Sequence, residues 1–368
     1  MSRSITRVGI VGGGQLGRML AQAGAPLNLR FTFLDPGSEP CASAHGKHLQ
    51  ADWQDAAALE TLTDTCEAIT FEFENVPAEA VARLAERRPA YPPAAALATA
   101  RDRWLEKSLF RSLEIAVPPI ARIDSQADLD AAVAEIGLPA VVKTRTMGYD
   151  GKGQKVMREA ADVADTFDEL SGVPLILEGF IDFDHEISVI AVRARDGEIR
   201  HWPVVRNEHR QGILHCSVPQ VAHPLQEQAE DYASRVMNEL DYVGVMAFEF
   251  FVTADGLLAN EIAPRVHNSG HWSIEGAVTS QFENHVRAVA GLPLGETARL
   301  APCAMLNVIG AFPERDAVLA LPGTHWHDYG KAPRPGRKIG HITVLAADEA
   351  TLAERVSAVE ALLANDLG

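Results

Sequence analysis

Two apolar runs, 243–252 and 257–262, constrain the fold of this chain most, because each carries one glutamate, Glu249 or Glu261. The Asp-Gly pair between them is typical of a β-hairpin. A three-residue loop would place Glu249 directly opposite Glu261, and like charges at opposed positions destabilise a sheet. Mg2+ reverses that effect, because it is held by one or two carboxylates together with substrate phosphates. This register therefore predicts a metal site. A two-residue loop would instead turn the two side chains to opposite faces of the sheet, as ordinary solvated glutamates.

The composition favours a cytoplasmic protein that acts on small molecules. A length of 368 residues predicts two or three domains. The formal net charge of −17 disfavours binding to nucleic acid, whose backbone needs a basic surface, although a few local cations suffice for a small phosphate ligand. Four cysteines without CxxC spacing predict reduced thiols. The sequence has neither a signal-peptide pattern nor an apolar run of membrane-spanning length, so no membrane partner is expected.

The first 35 residues predict a doubly wound α/β domain. A strand at 6–11, a glycine loop, a helix at 18–23 and a strand at 29–34 follow one another. Gly12, Gly14 and Gly17 satisfy G-x-G-x-x-G, and Asp35 lies where an NAD enzyme places its ribose-binding acid, so an NAD-dependent oxidoreductase is one hypothesis. The same loop would suit any anion, or its glycines would simply let the helix pack closely on the sheet.

An acidic turn, Glu72-Phe73-Glu74-Asn75, ends a third strand at 68–73. Open α/β sheets bind ligands at the carboxyl ends of their strands, although a solvated loop has the same composition.

A glycine-rich, cationic segment follows a strand at 139–144 that contains Lys143. The sequence 146–154, TMGYDGKGQ, has three glycines, and Lys152 and Lys155 lie in or beside it. Open backbone amides and lysines suit a lid over a polyphosphate, whereas the alternative is an ordinary glycine-rich turn. The segment is not a Walker A loop, because G-x-x-x-x-G-K-[ST] is absent.

The remaining periodicity predicts further strands and helices. A strand pair at 202–206 and 211–217 leaves His209 in a solvated loop. The polar segment 263–271, after the hairpin, has a composition typical of a binding site. The loop 331–338 has four cations in an acidic chain, which is either a phosphate site or a solvated charge run. Other expected strands are 173–177, 186–192, 301–309 and 341–345, and other expected helices are 94–113, 128–136, 226–240 and 273–290.

Six of these segments, in this order, resemble the 5-(carboxyamino)imidazole ribonucleotide synthetase family of the ATP-grasp superfamily. The resemblance covers residues 8 to about 345, and YDGKGQ together with the segment around HNSGH is its most specific part. It implies an α/β and α+β fold with a Rossmann-like N-terminal domain (1–98), a central ATP-grasp lid domain (99–182) and a C-terminal domain that holds the metal site and a terminal β subdomain (183–368). The segments are GGGQLGRM, FEFENVP, VVKTRTMGYDGKGQ, LEGFI, FEFF with NEIAPRVHNSGH, and KAPRPGRKIGH.

The resemblance also implies a reaction. The family joins ATP, bicarbonate and 5-aminoimidazole ribonucleotide through carboxyphosphate, releasing ADP and phosphate, in purine biosynthesis. Mg2+ is the implied cofactor, ATP is a co-substrate, biotin is not used, and a cytoplasmic homodimer is expected.

The site residues implied by the resemblance fall into four groups. Metal ligands would be Glu249 and Glu261, and catalytic residues would be Lys143, Arg265, His267 and Asn268. ATP would contact Arg103, Lys143, Gly148, Tyr149, Asp150, Gly151, Lys152, Gly153, Gln154, Glu178, Gly179, Phe180, Ile181, Glu186, His209, Asn260 and Glu261. The ribonucleotide would contact Gln15, Leu16, Glu74, Asn75, Tyr149, Arg265, His267, Asn268, Ser269, Lys331, Arg337 and Lys338.

One position departs from the family pattern: Val266 stands where a second proline is expected in APRPHNSGH. Two other functions fit parts of the sequence. An NAD-dependent oxidoreductase leaves the lysine–glycine segment and the two glutamates unexplained, and a non-catalytic nucleotide-binding regulator of the same fold would be expected to lack the metal ligands.

Overall fold

The computed structural model describes residues 5–146, 148, 153–170 and 172–364. Its strands form three sheets. In chain order they are β1 (Arg7–Val11), β2 (Arg30–Asp35), β3 (Lys47–Gln50), β4 (Ala68–Phe71), β5 (Ile120–Ile123), β6 (Ala140–Thr144), β7 (Gln154–Met157), β8 (Leu175–Gly179), β9 (His185–Arg193), β10 (Ile199–His201), β11 (Val205–Arg210), β12 (Ile213–Pro219), β13 (Gly244–Thr253), β14 (Gly256–Ala263), β15 (Cys303–Ile309), β16 (Thr324–Asp328) and β17 (Lys338–Leu345).

The helices cover the faces of these sheets. They are α1 (Gln15–Gly24), α2 (Ala56–Thr65), α3 (Ala78–Ala85), α4 (Ala94–Arg101), α5 (Arg103–Ser112), α6 (Gln126–Ile136), α7 (Thr166–Glu169), α8 (Gln226–Glu239), α9 (Ser273–Gly276), α10 (Gln281–Ala290), α11 (Arg315–Leu319) and α12 (Glu349–Ala364). Among the described residues, none of these helices is both long enough and apolar enough to cross a bilayer.

The first sheet is parallel, with the order β3-β2-β1-β4, and confirms the doubly wound start. Val8 of β1 pairs with Phe31 of β2 and with Ala68 of β4. Strands β1, β2 and β4 are largely apolar because α1 covers one face and α2 and α3 cover the other. The carboxyl ends of β1 and β4 therefore lead the glycine loop and the acidic turn to the same edge.

The second sheet is antiparallel, with the order β5-β8-β6-β7, and α6 packs on it. Lys143 lies on β6 and Glu178 on the neighbouring β8, so this sheet carries two of the expected ATP-binding residues.

The third sheet has the order β14-β13-β9-β11-β12-β15-β17-β16, with β10 paired to β9. One face packs on α5 and α8, and the other packs on α10. Helix α10 also contacts α1, so one continuous core joins the first and third sheets. The hairpin β13–β14 forms one end of the sheet, and β14 is its edge strand.

Three expectations about elements are wrong, each for a local reason. The helix expected at 94–113 breaks at Asp102, whose side chain accepts from the amide of Trp104 at 2.9 Å and caps α5. The helix expected at 273–290 breaks at Ala277, which bridges to Arg299. His209 does not lie in a solvated loop, because β11 continues through it to a turn formed after residue 210.

Candidate active site between the three sheets

The hairpin brings Glu249 and Glu261 into direct opposition. Thr253 pairs with Gly256, so the loop has two residues and the expected three-residue loop is wrong. A β-bulge then leaves Asn260 without a partner on β13, and Glu249 pairs with Glu261 beyond it. The bulge adds the residue that the short loop lacks, so the predicted pairing is correct for a different physical reason.

The two carboxylates have the environment of a cation site. Glu249 is buried and Glu261 is exposed toward solvent. Burial first, and then the Glu261 charge, raise the pKa of Glu249 to about 7. Within the described ranges there is no cluster of three or more His, Cys, Asp or Glu side chains that could hold a metal alone. Two opposed carboxylates, of which Glu261 is exposed, fit Mg2+, which rarely uses an all-protein cage.

A second cluster lies on β6 and β8. The ammonium of Lys143 donates to Oε2 of Glu178 at 2.9 Å, and both side chains are largely buried. Burial raises the pKa of Glu178, but Lys107 and Lys143 outweigh it and hold that pKa below its ordinary value. The guanidinium of Arg103 donates to the carbonyl oxygens of Thr144 at 3.0 Å and Gly148 at 3.2 Å, at the root of the glycine-rich segment.

Other expected ATP residues surround this cluster. Gly179 ends β8, and Phe180, which is exposed, and Ile181 follow it. Glu186 on β9 lies 3.3 Å from Nδ1 of His209 on β11, and it raises the pKa of that histidine against the opposing effect of burial. This carboxylate is the signal that distinguishes His209 from a solvated histidine.

The glycine-rich segment is only partly described. Gly153 has φ of +71° and its carbonyl accepts from Thr144 at 2.8 Å, while Gln154 pairs with Lys143. Lys155 is directed away from this cluster, because its ammonium bonds Glu169 at 2.6 Å. Tyr149, Asp150, Gly151 and Lys152 lie outside the described residues.

The segment after β14 faces the acidic turn of the first sheet. The Arg265 guanidinium forms an ion pair with Glu74, and although burial opposes it, Arg265 holds the pKa of Glu74 below its ordinary value. Asn75 lies beside Glu74 in the same turn. Val266 is buried in the core that joins the first and third sheets. Apolar packing therefore fixes the chain at this position, where the family pattern has a proline.

His267 and its neighbours form a hydrogen-bonded network. Nδ1 of His267 accepts from the Ser269 amide at 3.3 Å, so Nε2 carries the proton and lies 3.4 Å from Oε1 of Glu249. Burial, together with the nearby Arg265 charge, lowers the pKa of His267 well below its ordinary value. The Ser269 hydroxyl is buried 2.8 Å from that of Ser188, beneath the loop.

Asn268 is held by a side chain that the sequence did not single out. Its amide nitrogen donates to Oδ1 of Asn307 at 3.0 Å, and Nδ2 of Asn307 donates back at 2.6 Å. Gln281 plays a similar part for His267, because its Oε1 accepts from the His267 amide at 2.9 Å. Both were missed, since an asparagine in a strand and a glutamine in a helix have no distinctive spacing.

The glycine loop is filled by a side chain of the same chain. The carboxylate of Glu72 accepts from the amides of Gly14 at 2.8 Å and Gly17 at 3.0 Å, and Asp35 accepts from the amide of Gly13 at 2.8 Å. These are the amides that a dinucleotide pyrophosphate would need. The structure therefore does not support the NAD hypothesis. Gln15 begins α1 beside the loop, and Leu16 is buried in the core.

The basic loop between β16 and β17 faces the same region. The Lys331 ammonium lies 5.9 Å from the centre of the Tyr329 ring, and its charge opposes the rise in the pKa of Glu72 that burial causes. The Lys338 charge helps to lower the pKa of Glu74 and opposes the rise in the pKa of Glu249. Arg337 donates to the carbonyl of Ala332 at 3.1 Å, within the loop.

Two further charges were missed by the sequence reasoning. Glu106 and Lys107 on α5 are fully buried and contact the backbone of β14. The signal was available, because Phe110 lies four residues after Glu106 and three after Lys107, which places both on the apolar face of the helix.

Comparison with known protein families agrees with this arrangement. Residues 5–101 match the ribonucleotide synthetase preATP-grasp domain, residues 108–282 match the ATP-grasp domain, and residues 303–355 match the phosphoribosylaminoimidazole carboxylase C-terminal domain.

Relatives and solved structures match over nearly the whole chain. An N5-carboxyaminoimidazole ribonucleotide synthase of Pseudomonas aeruginosa is 60% identical, with 97% of this chain and 99% of the relative covered. A crystal structure of the Thermus thermophilus synthetase has a TM-score of 0.93 at 49% identity, with 96% of this chain and 98% of that chain covered. An Aspergillus clavatus synthase in complex with ADP and 5-aminoimidazole ribonucleotide has a TM-score of 0.90 at 29% identity, with 98% and 99% covered. The chain therefore belongs to the N5-carboxyaminoimidazole ribonucleotide synthase family of ATP-grasp ligases.

Proposed function

We propose that this chain uses ATP to carboxylate the amino group of 5-aminoimidazole ribonucleotide with bicarbonate, releasing ADP and phosphate. The observation that carries the proposal is the opposed pair Glu249 and Glu261, flanked by the Lys143–Glu178 cluster on one side and the segment containing Arg265 on the other. Membership of the family supports the same substrates.

We assign the nucleotide to the cluster on β6, β8, β9 and β11. Lys143 and Arg103 would contact the phosphates, and Glu186 would accept hydrogen bonds from the ribose. The proposed set also contains the glycine-rich segment 148–154, Glu178, Gly179, Phe180, Ile181, His209 and Asn260.

Glu249 and Glu261 would hold Mg2+ between the protein and the phosphates. When bound, the ion would neutralise the charge on the transferring phosphoryl group. The high pKa of Glu249 supports this assignment, because a buried carboxylate beside another needs a cation to remain ionised.

The chemistry requires two transfers. An oxygen of bicarbonate attacks the γ-phosphorus of ATP, and the bond to the ADP oxygen breaks, giving carboxyphosphate. The amine nitrogen then attacks the carboxyl carbon of carboxyphosphate and displaces phosphate, or carboxyphosphate first releases phosphate and the nitrogen adds to the resulting CO2. In either case the nitrogen loses one proton. Arg265, His267 and Asn268 would hold bicarbonate and the carboxylated intermediate, with His267 neutral and its Nε2 proton beside Glu249.

The ribonucleotide would lie between the first sheet and the basic loop. Gln15, Leu16, Glu74 and Asn75 would contact its ribose side, and Lys331, Arg337 and Lys338 its phosphate. Tyr149 and Ser269 belong to the same proposed set. The lid would exclude water, because carboxyphosphate hydrolyses readily.

We also propose the domain boundaries 1–98, 99–182 and 183–368, a homodimer and a cytoplasmic location. The four cysteines are all free, which supports a reducing compartment. Light scattering of the purified chain tests the dimer.

A coupled assay of ADP release tests the reaction. We expect release to depend on Mg2+ and bicarbonate and to be stimulated by 5-aminoimidazole ribonucleotide, and Glu261→Gln to lower turnover much more than thermal stability. No stimulation by the ribonucleotide would refute the proposed reaction, and an unchanged rate in Glu261→Gln would remove the metal assignment.

A further inference from the structure

The bulge in β14 is held from outside the sheet by two neighbouring side chains of α5. The Lys107 ammonium donates to the carbonyl oxygen of Ala259 at 3.0 Å and to that of Asn260. Oε1 of Glu106 accepts from the amide of Ile262 at 2.8 Å. These contacts lie at Asn260, which the bulge leaves unpaired, and on either side of it.

The contacts satisfy backbone groups that the sheet cannot satisfy. β14 is an edge strand, and a bulge interrupts its hydrogen bonds to β13. A buried carbonyl or amide without a partner costs about 1–3 kcal/mol, so the bulged register would be disfavoured without α5. The alternative is a hairpin without the bulge, in which the regular pairing seen from Thr253–Gly256 to Phe250–Ala259 continues along β13 and β14.

That alternative would change the direction of Glu261. In a regular hairpin with the same two-residue loop, Glu249 would oppose Asn260, and Glu261 would turn to the face occupied by Phe248. The glutamate would then lie in the apolar core beneath the sheet. The bulge is therefore the feature that places both carboxylates on one face.

Two buried ionisable side chains are a poor choice for stability alone at this position. Both side chains are fully buried, and burial raises the pKa of Glu106 to about 8 although Lys107 opposes it. Apolar residues of similar volume often stabilise a core as well as or better than buried charged groups, whereas the specification of register is the best-attested use of such groups.

We infer that Glu106 and Lys107 are positioning residues that hold β14 in its bulged register and so direct Glu261 to the face of Glu249. The inference rests on the proposed function, in which these two glutamates hold a divalent cation. Neither α5 side chain need touch ATP or the ribonucleotide to act in this way.

Mn2+ binding measured by electron paramagnetic resonance, in the presence of ADP and without turnover, tests the inference on the full chain. Lys107→Met and Glu106→Leu should each weaken Mn2+ binding about tenfold or more, since they remove the side-chain hydrogen bonds to the backbone at the bulge. Glu106→Gln keeps an acceptor for the Ile262 amide and should retain affinity within about threefold.

Phe110→Ala is the matched destabilised control. Phe110 lies on the same buried face of α5 and its ring centre is 4.8 Å from that of Phe248, but its phenyl ring has no polar atom and cannot form a hydrogen bond to the bulge. Its Mn2+ affinity, measured on the folded fraction, should match that of the unsubstituted chain.

The outcomes separate the two claims. If the unsubstituted chain binds no Mn2+ with ADP, the proposed metal site fails. If it binds Mn2+ and both Lys107→Met and Glu106→Leu bind it equally well, or if Phe110→Ala loses as much affinity as they do, the positioning role is refuted.

If the variants do not fold, amide hydrogen exchange of the unsubstituted chain tests the inference instead. The Ile262 amide should exchange with solvent deuterium as slowly as the amides in the middle of β13. Exchange as fast as that of an exposed loop would overturn the inference.

Discussion

Glu249→Gln should stabilise the metal-free protein at alkaline pH, although it removes a proposed metal ligand. A carboxyl whose pKa is higher in the folded than in the unfolded chain contributes stability at low pH and loses it as the pH rises. For Glu249 that loss runs from about pH 4.5 to about pH 7, and a rise in pKa from 4.5 to about 7 corresponds to about 3 kcal/mol. The glutamine keeps the volume of the side chain but has no charge to bury.

Thermal unfolding between pH 5 and pH 8, with and without Mg2+ and ADP, measures this effect. At pH 8 without metal, Glu249→Gln should be more stable by up to about 3 kcal/mol, and at pH 5 by about 1 kcal/mol. With Mg2+ and ADP, the unsubstituted chain should gain stability and the variant should gain little.

Glu261→Gln is the control for this prediction. Glu261 is exposed, so its substitution relieves only its repulsion of Glu249 and should give a smaller gain. If Glu249→Gln is no more stable than the unsubstituted chain at pH 8 without metal, the carboxylate is not destabilised as the structure indicates, and the argument for a cation site is lost.

Two further predictions concern other buried groups. Burial lowers the pKa of His285 to about 4, so the stability that its neutral ring contributes is complete above about pH 6.5. That stability is lost by about 1.4 kcal/mol per pH unit as the pH falls from about 6.5 to about 4. His285→Gln should therefore make stability fall less steeply with decreasing pH over this range, and an unchanged slope would refute the prediction. Lys143→Met should lower stability by about 3 kcal/mol, because it removes the ion partner of buried Glu178. Adding Glu178→Gln should restore stability in a denaturant titration but not ADP affinity by calorimetry, and recovery of both would contradict a role of Lys143 in phosphate binding.

Local patterns were sufficient for much of the fold. The parallel start of the chain, the lysine on β6 and the hairpin that carries Glu249 and Glu261 were predicted from the alternation of apolar residues and from turn residues. Errors occurred where a polar side chain ended an element early, as at Asp102. A capping hydrogen bond outweighs the small propensity of a few residues to continue a helix.

The site was predicted less completely, because several of its contacts join distant parts of the chain. The sequence identified Arg265 and Glu74 separately, but only the folded chain brings them together as an ion pair. It also left a dinucleotide loop at Gly12, Gly14 and Gly17 as one hypothesis, and it could not reveal that Glu72 accepts from the amides of Gly14 and Gly17.

The sequence by itself determined which residues carry charge, which runs form strands, and the order of segments that identifies the family. Only the tertiary structure decided the register at Glu261, the burial of Glu106 and Lys107, and the closure of the glycine loop by Glu72. The physical reason is that strand and helix propensities act over a few residues. The hydrogen bonds of an edge strand and the solvation of a buried charge depend instead on whichever element packs against them.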